Sequence, residues 1–341
     1  MTAAAVVPGT NQSVRFKGQE SVVIQPGEWV WSDPVSLPFA SDPDAAPLSG
    51  RKLAVSVHVA GESGPMTWHA KALQTSYVTA PRAGAKGGEE GEAAFPFSTS
   101  SWFFLDAIDM SAPAGTPVIV ALGDSITDGT ASTMNADDRW PDVLSRRLDA
   151  AYGNRVSVLN AGIGGNQVVG PKEYGPEKPF PGGPSASQRL ERDVLGLSGV
   201  STVIWLEGIN DFSRNGNAAV EDVQSGMRDV ISRLRARGVR VVGATLPSAL
   251  GSTSAAHGFP EQDAKRKALN GFIRSPGVFD AAVDFDAVTL DRETGGLKPE
   301  MIPDSTTGGP GDKLHPNRTG YHAMGTSIDL NVVAPSLVPR R

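Results

Sequence analysis

The chain contains no cysteine, which excludes disulfides, thiol nucleophiles and thiolate metal sites together. In 341 residues that absence does not fix a compartment, because a core of this size needs no covalent staples. Basic residues are in deficit: 31 Lys and Arg against 37 Asp and Glu leave a net charge of -6. A nucleic-acid-binding surface carries the opposite excess, so no nucleic-acid partner is expected. No apolar run approaches the roughly 20 residues of a membrane span, so none is expected. Met1 to Pro8 lacks both a basic start and a full apolar segment, and does not read as an intact signal peptide. If this is a processed mature end with an added methionine, a secreted or periplasmic location is favoured; otherwise the location is cytoplasmic. Histidines number only five, no His/Asp/Glu cluster has metal-ligand spacing, and no metal or cofactor is expected. Nothing repeats internally.

What is present falls into two textures. Residues 13 to about 110 read as β structure. Leu53, Val55, Val57 and Val59 alternate with polar residues, as a half-buried strand requires. Residues 21–24, 29–32 and 75–79 are further short candidates, and 101–105 looks like the last. Short strands without a helical period predict a small all-β sandwich or jelly roll over residues 1–110. Pro81 to Glu92, rich in Gly, Ala and charge, reads as a mobile loop within it, and residues 111–116 as a linker. From Val118 strands alternate with helices, the mark of a parallel sheet. Candidate strands are 118–122, 156–160, 201–206, 239–245 and 279–284; candidate helices are 140–152, 185–196, 218–237, 261–274 and 316–331. Val220, Val223, Met227, Val230, Ile231 and Leu234 recur at helical spacing and predict a face packed on the sheet. The expected catalytic domain, residues 117–341, is a three-layer α/β/α sandwich.

Several strand ends carry polar residues. Val118 to Leu122 is an apolar run that stops at Gly123-Asp124-Ser125, placing Ser125 at the carboxyl edge of the sheet, where open α/β sheets bind ligands. Gly, Asp and Ser are also common turn residues, so Ser125 reads equally as a nucleophile or as part of a turn. Asn160-Ala-Gly-Ile-Gly-Gly-Asn166 follows the second strand, with glycines that can expose backbone N–H groups to a ligand. It is not a dinucleotide fingerprint, which needs glycine where Gln167 stands and belongs after the first strand. Glu207-Gly-Ile-Asn-Asp211 follows the third strand. Asp312-Lys-Leu-His-Pro316 precedes the last helix. If it forms a helical first turn, Asp312 and His315 lie side by side. Asp312 then accepts from one ring nitrogen and the other is free to take a proton from a serine. Asp124 and Asp211 read as helix caps or loop ties. His322 reads as a surface or packing residue, and His58 and His69 as structural residues of the β module. His257 lies in a Gly/Ser-rich loop that can approach the cleft.

Gly123-Asp124-Ser125, Gly165 within Asn160–Asn166, Gly208-Ile209-Asn210-Asp211 and Asp312 to His315 resemble, in order, the four blocks of the SGNH (GDSL) hydrolase family. The resemblance covers roughly residues 117–333, with Ile126 where the family often has Leu; the N-terminal β module lies outside it. It implies a flavodoxin-like parallel sheet and serine esterase chemistry without a cofactor. Ser125 would be the nucleophile, His315 the base and acid, and Asp312 the residue that orients His315. The Ser125 and Gly165 N–H groups and the Asn210 amide would form the oxyanion hole. Two-part proteins of this kind include esterases that remove acetyl groups from plant polysaccharides, so the resemblance implies an acetylated saccharide or other small acyl ester as substrate. The segment Gly170 to Pro184, with Lys172, Glu173, Tyr174, Glu177, Lys178 and Phe180, suits an open polar cleft and short acyl groups rather than lipid chains. Trp29, Trp31, Trp68 and Tyr77 are either a sugar-stacking surface or core aromatics. Arylesterase, lipase and thioesterase chemistry in the same family, and a non-catalytic glycan-binding protein, are the alternatives.

Overall fold

The computed structural model describes residues 4–40, 52–64, 66–175, 177–302 and 309–337. The chain divides into two compact units: residues 1–66 with 75–100, and residues 67–74 with 101–341. The second unit thus takes in residues 67–74 and 101–116, which the sequence alone assigned to the β module and linker.

Four short strands precede the main sheet: β1 (Trp68–His69), β2 (Ser76–Val78), β3 (Phe97–Thr99) and β4 (Trp102–Phe103). In the first unit β2 pairs antiparallel with β3, Tyr77 opposite Ser98. The Asp33 carboxylate closes the turn before it by accepting from the Lys17 and Gly18 N–H groups at 2.9 and 2.7 Å. The stretches 21–24, 29–32 and 53–59 form no ladder, and Leu53, Val55, Val57 and Val59 stand 43–58 % exposed. An alternating strand is stable only when a neighbour takes its backbone groups and a facing layer covers its apolar side. Among the described residues neither is supplied. Small N-terminal strands are thus present, and among the described residues they make one short antiparallel pair in this unit and no jelly roll; the other pair, β1 with β4, belongs to the second unit.

The second unit carries a five-stranded parallel sheet: β5 (Val118–Gly123), β6 (Ser157–Gly162), β7 (Val200–Leu206), β8 (Arg240–Ala244) and β9 (Ala281–Val283), in the order β6-β5-β7-β8-β9. The helices are α1 (Ser125–Asp128), α2 (Trp140–Tyr152), α3 (Ala186–Leu190), α4 (Val220–Ala236), α5 (Pro260–Arg274), α6 (Phe285–Thr289), α7 (Arg318–Ser327) and α8 (Leu330–Val333). Alternate residues of the strands feed opposite faces. Val120, Leu122, Val203 and Trp205 meet Val223, Met227, Val230 and Leu234 of α4 on one side. Ile119, Ala121, Ile204 and Leu206 meet Trp140 and Leu144 of α2 and Tyr321 and Met324 of α7 on the other. Strands buried on both faces read as unbroken apolar runs, and these do.

The strand order has a functional consequence. β5 is flanked by β6 on one side and β7 on the other, so the chain leaves β5 at a topological switch point. Loops there turn to opposite faces and open a crevice at the carboxyl edge. Close approach at this edge depends on Gly162, where a Cβ would overlap the backbone of Thr127 and Asp128 in α1. Overpacking of this kind costs about 1–3 kcal/mol. Gly162→Ala is therefore expected to lower the unfolding free energy by that amount, read as a lower urea midpoint at unchanged slope. An unchanged midpoint would show that α1 is not held against β6.

Candidate active site

Ser125 is presented by a very short helix whose ends are both specified by sequence. The Asp124 side chain caps α1 by accepting from the Ile126 N–H at 2.9 Å. Gly129, at φ 100°, ends it and returns its N–H to the Ser125 carbonyl. A left-handed residue at that place favours glycine. Ser125 is 8 % exposed.

His315 and Asp312 come to it from 190 residues away. His315 Nδ1 lies 2.6 Å from Asp312 Oδ2, and Nε2 lies 2.8 Å from Ser125 Oγ. A carboxylate only accepts, so the ring proton sits on Nδ1 and the Nε2 lone pair faces the serine hydroxyl. The other Asp312 oxygen accepts from the Leu314 and His315 N–H groups, both at 2.9 Å. Burial alone would raise the Asp312 carboxyl, but the His315 ring and these N–H groups outweigh it and hold it well below the ordinary range. The pair is not formed by a helical turn, as its spacing suggested. Residues 312–316 are a tight turn with Lys313 in the left-handed region at φ 59°, and α7 begins only at Arg318, capped by Asn317. Pro316 disfavours helical geometry at His315, which is why the helix starts later.

The three expected donors lie at or just beyond the carboxyl ends of β5, β6 and β7. Gly165, at φ 83°, sits in the loop after β6. Neither its N–H nor that of Ser125 has an acceptor among the described residues. Asn210 follows β7, is 8 % exposed, and spends one amide hydrogen on the Asn166 carbonyl at 3.0 Å, leaving the second. The neighbouring Asp211 is a tie between loops: its oxygens accept from Val168 and Val169 N–H at 2.9 and 3.0 Å. Burial raises its carboxyl to about 7 despite those bonds.

Three further residues act at this edge, and for Arg189 and His69 the sequence gave no indication of it. Arg189 of α3, 1 % exposed, donates to the Gly123 carbonyl at 2.9 Å, the Ala161 carbonyl at 2.7 Å and Asn166 Oδ1 at 2.7 Å, and pairs with Asp193. It thereby joins the ends of β5 and β6 to the Gly165 loop. A buried arginine on a five-residue helix has no periodic signal to announce it. The Asn166 amide in turn donates to the Gly182 and Pro184 carbonyls at 2.6 and 2.7 Å, so the 170–184 segment returns beside Gly165. In it Lys172, Glu173, Tyr174, Glu177 and Lys178 are exposed and Phe180 is half-buried.

His257 is the second. The 248–258 loop is tied to the Asp312 carbonyl through Thr253 N–H at 3.0 Å and Ser252 Oγ at 2.8 Å. Gly258 N–H donates to Gln262 Oε1, which leaves the Gln262 amide to donate to the Ile209 carbonyl and to His257 Nδ1, at 3.1 and 2.8 Å. His257 therefore carries its proton on Nε2. Burial, and then the charge of His315, push it down to about 4, against Asp312. It is neutral beside the catalytic edge. The third is His69, whose Nε2 lies 2.9 Å from Asp128 Oδ1 at the end of α1; it belongs to the second unit and not to a separate β module. His58 and His322 are exposed. Among the described residues no group of His, Asp and Glu is arranged to hold a metal ion, and no helix is long and apolar enough to cross a membrane.

The model of the GDSL-like lipase/acylhydrolase family matches residues 121–323, more than half of the chain, and that span contains every residue placed above except His58 and His69. The chain belongs to this family. This GDSL-like hydrolase is a carboxylic ester hydrolase. No curated protein matches it. Solved structures similar to it include the inhibitor-bound aryl esterase of M. smegmatis, at 17 % identity and TM-score 0.48, covering 65 % of this chain and 100 % of that one. A lipase/acylhydrolase from Enterococcus faecalis aligns at 21 % identity and TM-score 0.45 over 62 % and 92 %. A carbohydrate acetylesterase from Sinorhizobium meliloti aligns at 14 % identity and TM-score 0.43 over 61 % and 94 %.

The Asp312 shift makes a prediction about this hydrolase. A carboxyl whose folded value is depressed contributes stability above its unfolded value, near 3.9, and loses it as pH falls through the folded one. Wild type should therefore melt above Asp312→Asn at pH 7, with the gap narrowing only below about pH 4. A gap that is constant from pH 7 to pH 2 in thermal melts would refute it.

Proposed function

We propose that this hydrolase is a serine esterase acting on short acyl esters, specifically acetyl groups on carbohydrate, with Ser125 as nucleophile. The observation that carries the reading is the continuous line from Asp312 Oδ2 through His315 to Ser125 Oγ, at 2.6 and 2.8 Å. His315 Nε2 takes the hydroxyl proton as Oγ attacks the ester carbonyl. Asp312 keeps the ring in the Nδ1–H tautomer and stabilises the imidazolium that forms. The tetrahedral intermediate places its negative oxygen near the Ser125 N–H, the Gly165 N–H and the free Asn210 amide hydrogen. Donors fixed by backbone and by the Asn166 carbonyl need little reorganisation as charge develops. Collapse returns the proton from His315 to the departing alcohol, and water then repeats the sequence on the acyl-enzyme.

The preference for a short acyl group rests on what borders the crevice. The 170–184 segment, which returns beside Gly165 at Gly182, carries exposed charged side chains at Lys172, Glu173, Glu177 and Lys178, a border that favours short acyl groups over long alkyl chains. A fluorophosphonate probe should label wild type and not Ser125→Ala; labelling of both, or of neither, would refute the assignment of Ser125. Asn210→Ala should lose about 10²–10³ in kcat on p-nitrophenyl acetate, the usual effect of one missing oxyanion donor. Undiminished turnover would remove Asn210 from the mechanism.

A further inference from the structure

One group of residues next to Ser125 is left unused by the mechanism. β1 and β4 pair antiparallel, with His69 directly opposite Trp102 and Trp68 opposite Phe103. Opposed residues share a face of a ladder and their side chains are neighbours, so His69 and Trp102 stand together on one side. The ladder is fixed to the hydrolase unit. Ala72 and Leu73 are buried, the Arg139 guanidinium donates to the Ala72 carbonyl, and Asn135 N–H donates to the Leu73 carbonyl at 3.0 Å. His69 then reaches Asp128 Oδ1, three residues after Ser125. The second Asp128 oxygen faces Gly164. A Cβ at Gly164 would lie 3.6 Å from Asp128 Oδ2 and 4.0 Å from Ser125 Cβ, so the Gly164 backbone lies beside both. Despite this, the His69 side chain keeps 32 % of its surface exposed, and Trp102 keeps 45 %.

A structural tie would not need an open indole beside it. We propose that Trp102 and the His69–Asp128 pair form a subsite for the sugar ring that bears the ester. This rests on the esterase reading above: an acetyl group is two carbons long, so a ring-sized surface beside Ser125 meets the alcohol part of the substrate. The chemistry fits a saccharide. A flat aromatic face stacks on the C–H face of a pyranose ring, and the adjoining imidazole and carboxylate offer a donor and acceptors to its hydroxyls. The Asp128 carboxylate also keeps His69 charged more readily: burial pulls its proton affinity down, and the hydrogen bond and charge of Asp128 more than restore it.

The test uses the full chain and compares acetylated xylobiose, cellobiose and mannobiose with ethyl acetate, which has no ring. In wild type at least one saccharide ester should exceed ethyl acetate in kcat/KM. In Trp102→Ala that ratio should fall at least tenfold through KM, with recovery in Trp102→Phe. His69→Ala should lower it in the same direction. A ratio unchanged in Trp102→Ala, or a wild type with no preference for any saccharide ester, would overturn the subsite. A selective loss confined to p-nitrophenyl acetate would overturn it too, by assigning the indole to an aryl ring. Tryptophan fluorescence of Ser125→Ala titrated with the free disaccharides separates the two readings. A chain that cleaves no ester yet binds a disaccharide through Trp102 removes the esterase and keeps the subsite. Turnover of ethyl acetate with no saccharide binding does the reverse.

Discussion

A single buried guanidinium organises the catalytic edge of this hydrolase. Arg189 is withdrawn from water, and an ion in that position is tolerated only if its donors are occupied and its charge is compensated. Its donors reach Gly123 at the end of β5, Ala161 in β6 and the Asn166 side chain. Its charge is met by Asp193 at 2.9 Å and, more distantly, by Glu207 at the end of β7, 3.9 Å away. The strand ends from which Ser125, Gly165 and Asn210 depart are thus held by one side chain. Asn166 extends the arrangement, accepting from Arg189 and from Asn210 while its amide anchors Gly182 and Pro184. Burial raises the Glu207 carboxyl and Arg189 opposes it, as expected of a charge tolerated only because of its partner.

The sheet order explains why such a fastening is required. With β5 between β6 and β7, three loops enter one crevice from different directions, and none of them fixes the others through sequence neighbours. A donor misplaced by an ångström loses most of its value to a developing oxyanion. Regular structure brings the loops near one another. The finer spacing comes from local devices: the Asp124 cap, the Gly129 stop, the Gly162 close approach and the two N–H groups held by Asp211. Each of these is a glycine or a short carboxylate, residues whose value lies in backbone geometry rather than in contact with a ligand.

What could be read from the sequence follows from how far each cause acts along the chain. The central strands β5, β7 and β8 were visible because burial on both faces leaves apolar runs, and the α4 face because its residues recur at helical period. Ser125 and its cap lie within a few residues of one another, and so does the Asp312–His315 pair. The pairing was legible but its geometry was not. Spacing of three suggested a helical turn, whereas Pro316 and the left-handed Lys313 make a tight turn that delivers the same contact. Arg189 gave no local signal, since its partners at the strand ends lie 23 to 66 residues away, whereas His257 was marked only by the Gly/Ser-rich loop that carries it. In the first unit, alternation at 53–59 predicts a half-buried strand, and among the described residues no ladder takes it up. Alternation records what a segment is able to bury, and it cannot supply the partner.

His69 shows the same limit from the other side. Its nearest sequence neighbours look like those of a small β module, and the family match begins only at residue 121. Yet it lies in the unit that contains Ser125, against a carboxylate on the same four-residue helix. The reacting groups of an esterase can be compact, because the ester bond is small and common to every substrate. Whatever distinguishes one alcohol from another must be supplied farther out, by surfaces that touch the departing group. In this chain the 67–74 and 101–103 segments are placed to do that, and they lie before the part that the family shares. The division between common chemistry and individual preference therefore need not follow the division between domains. Here it runs through the hydrolase unit itself.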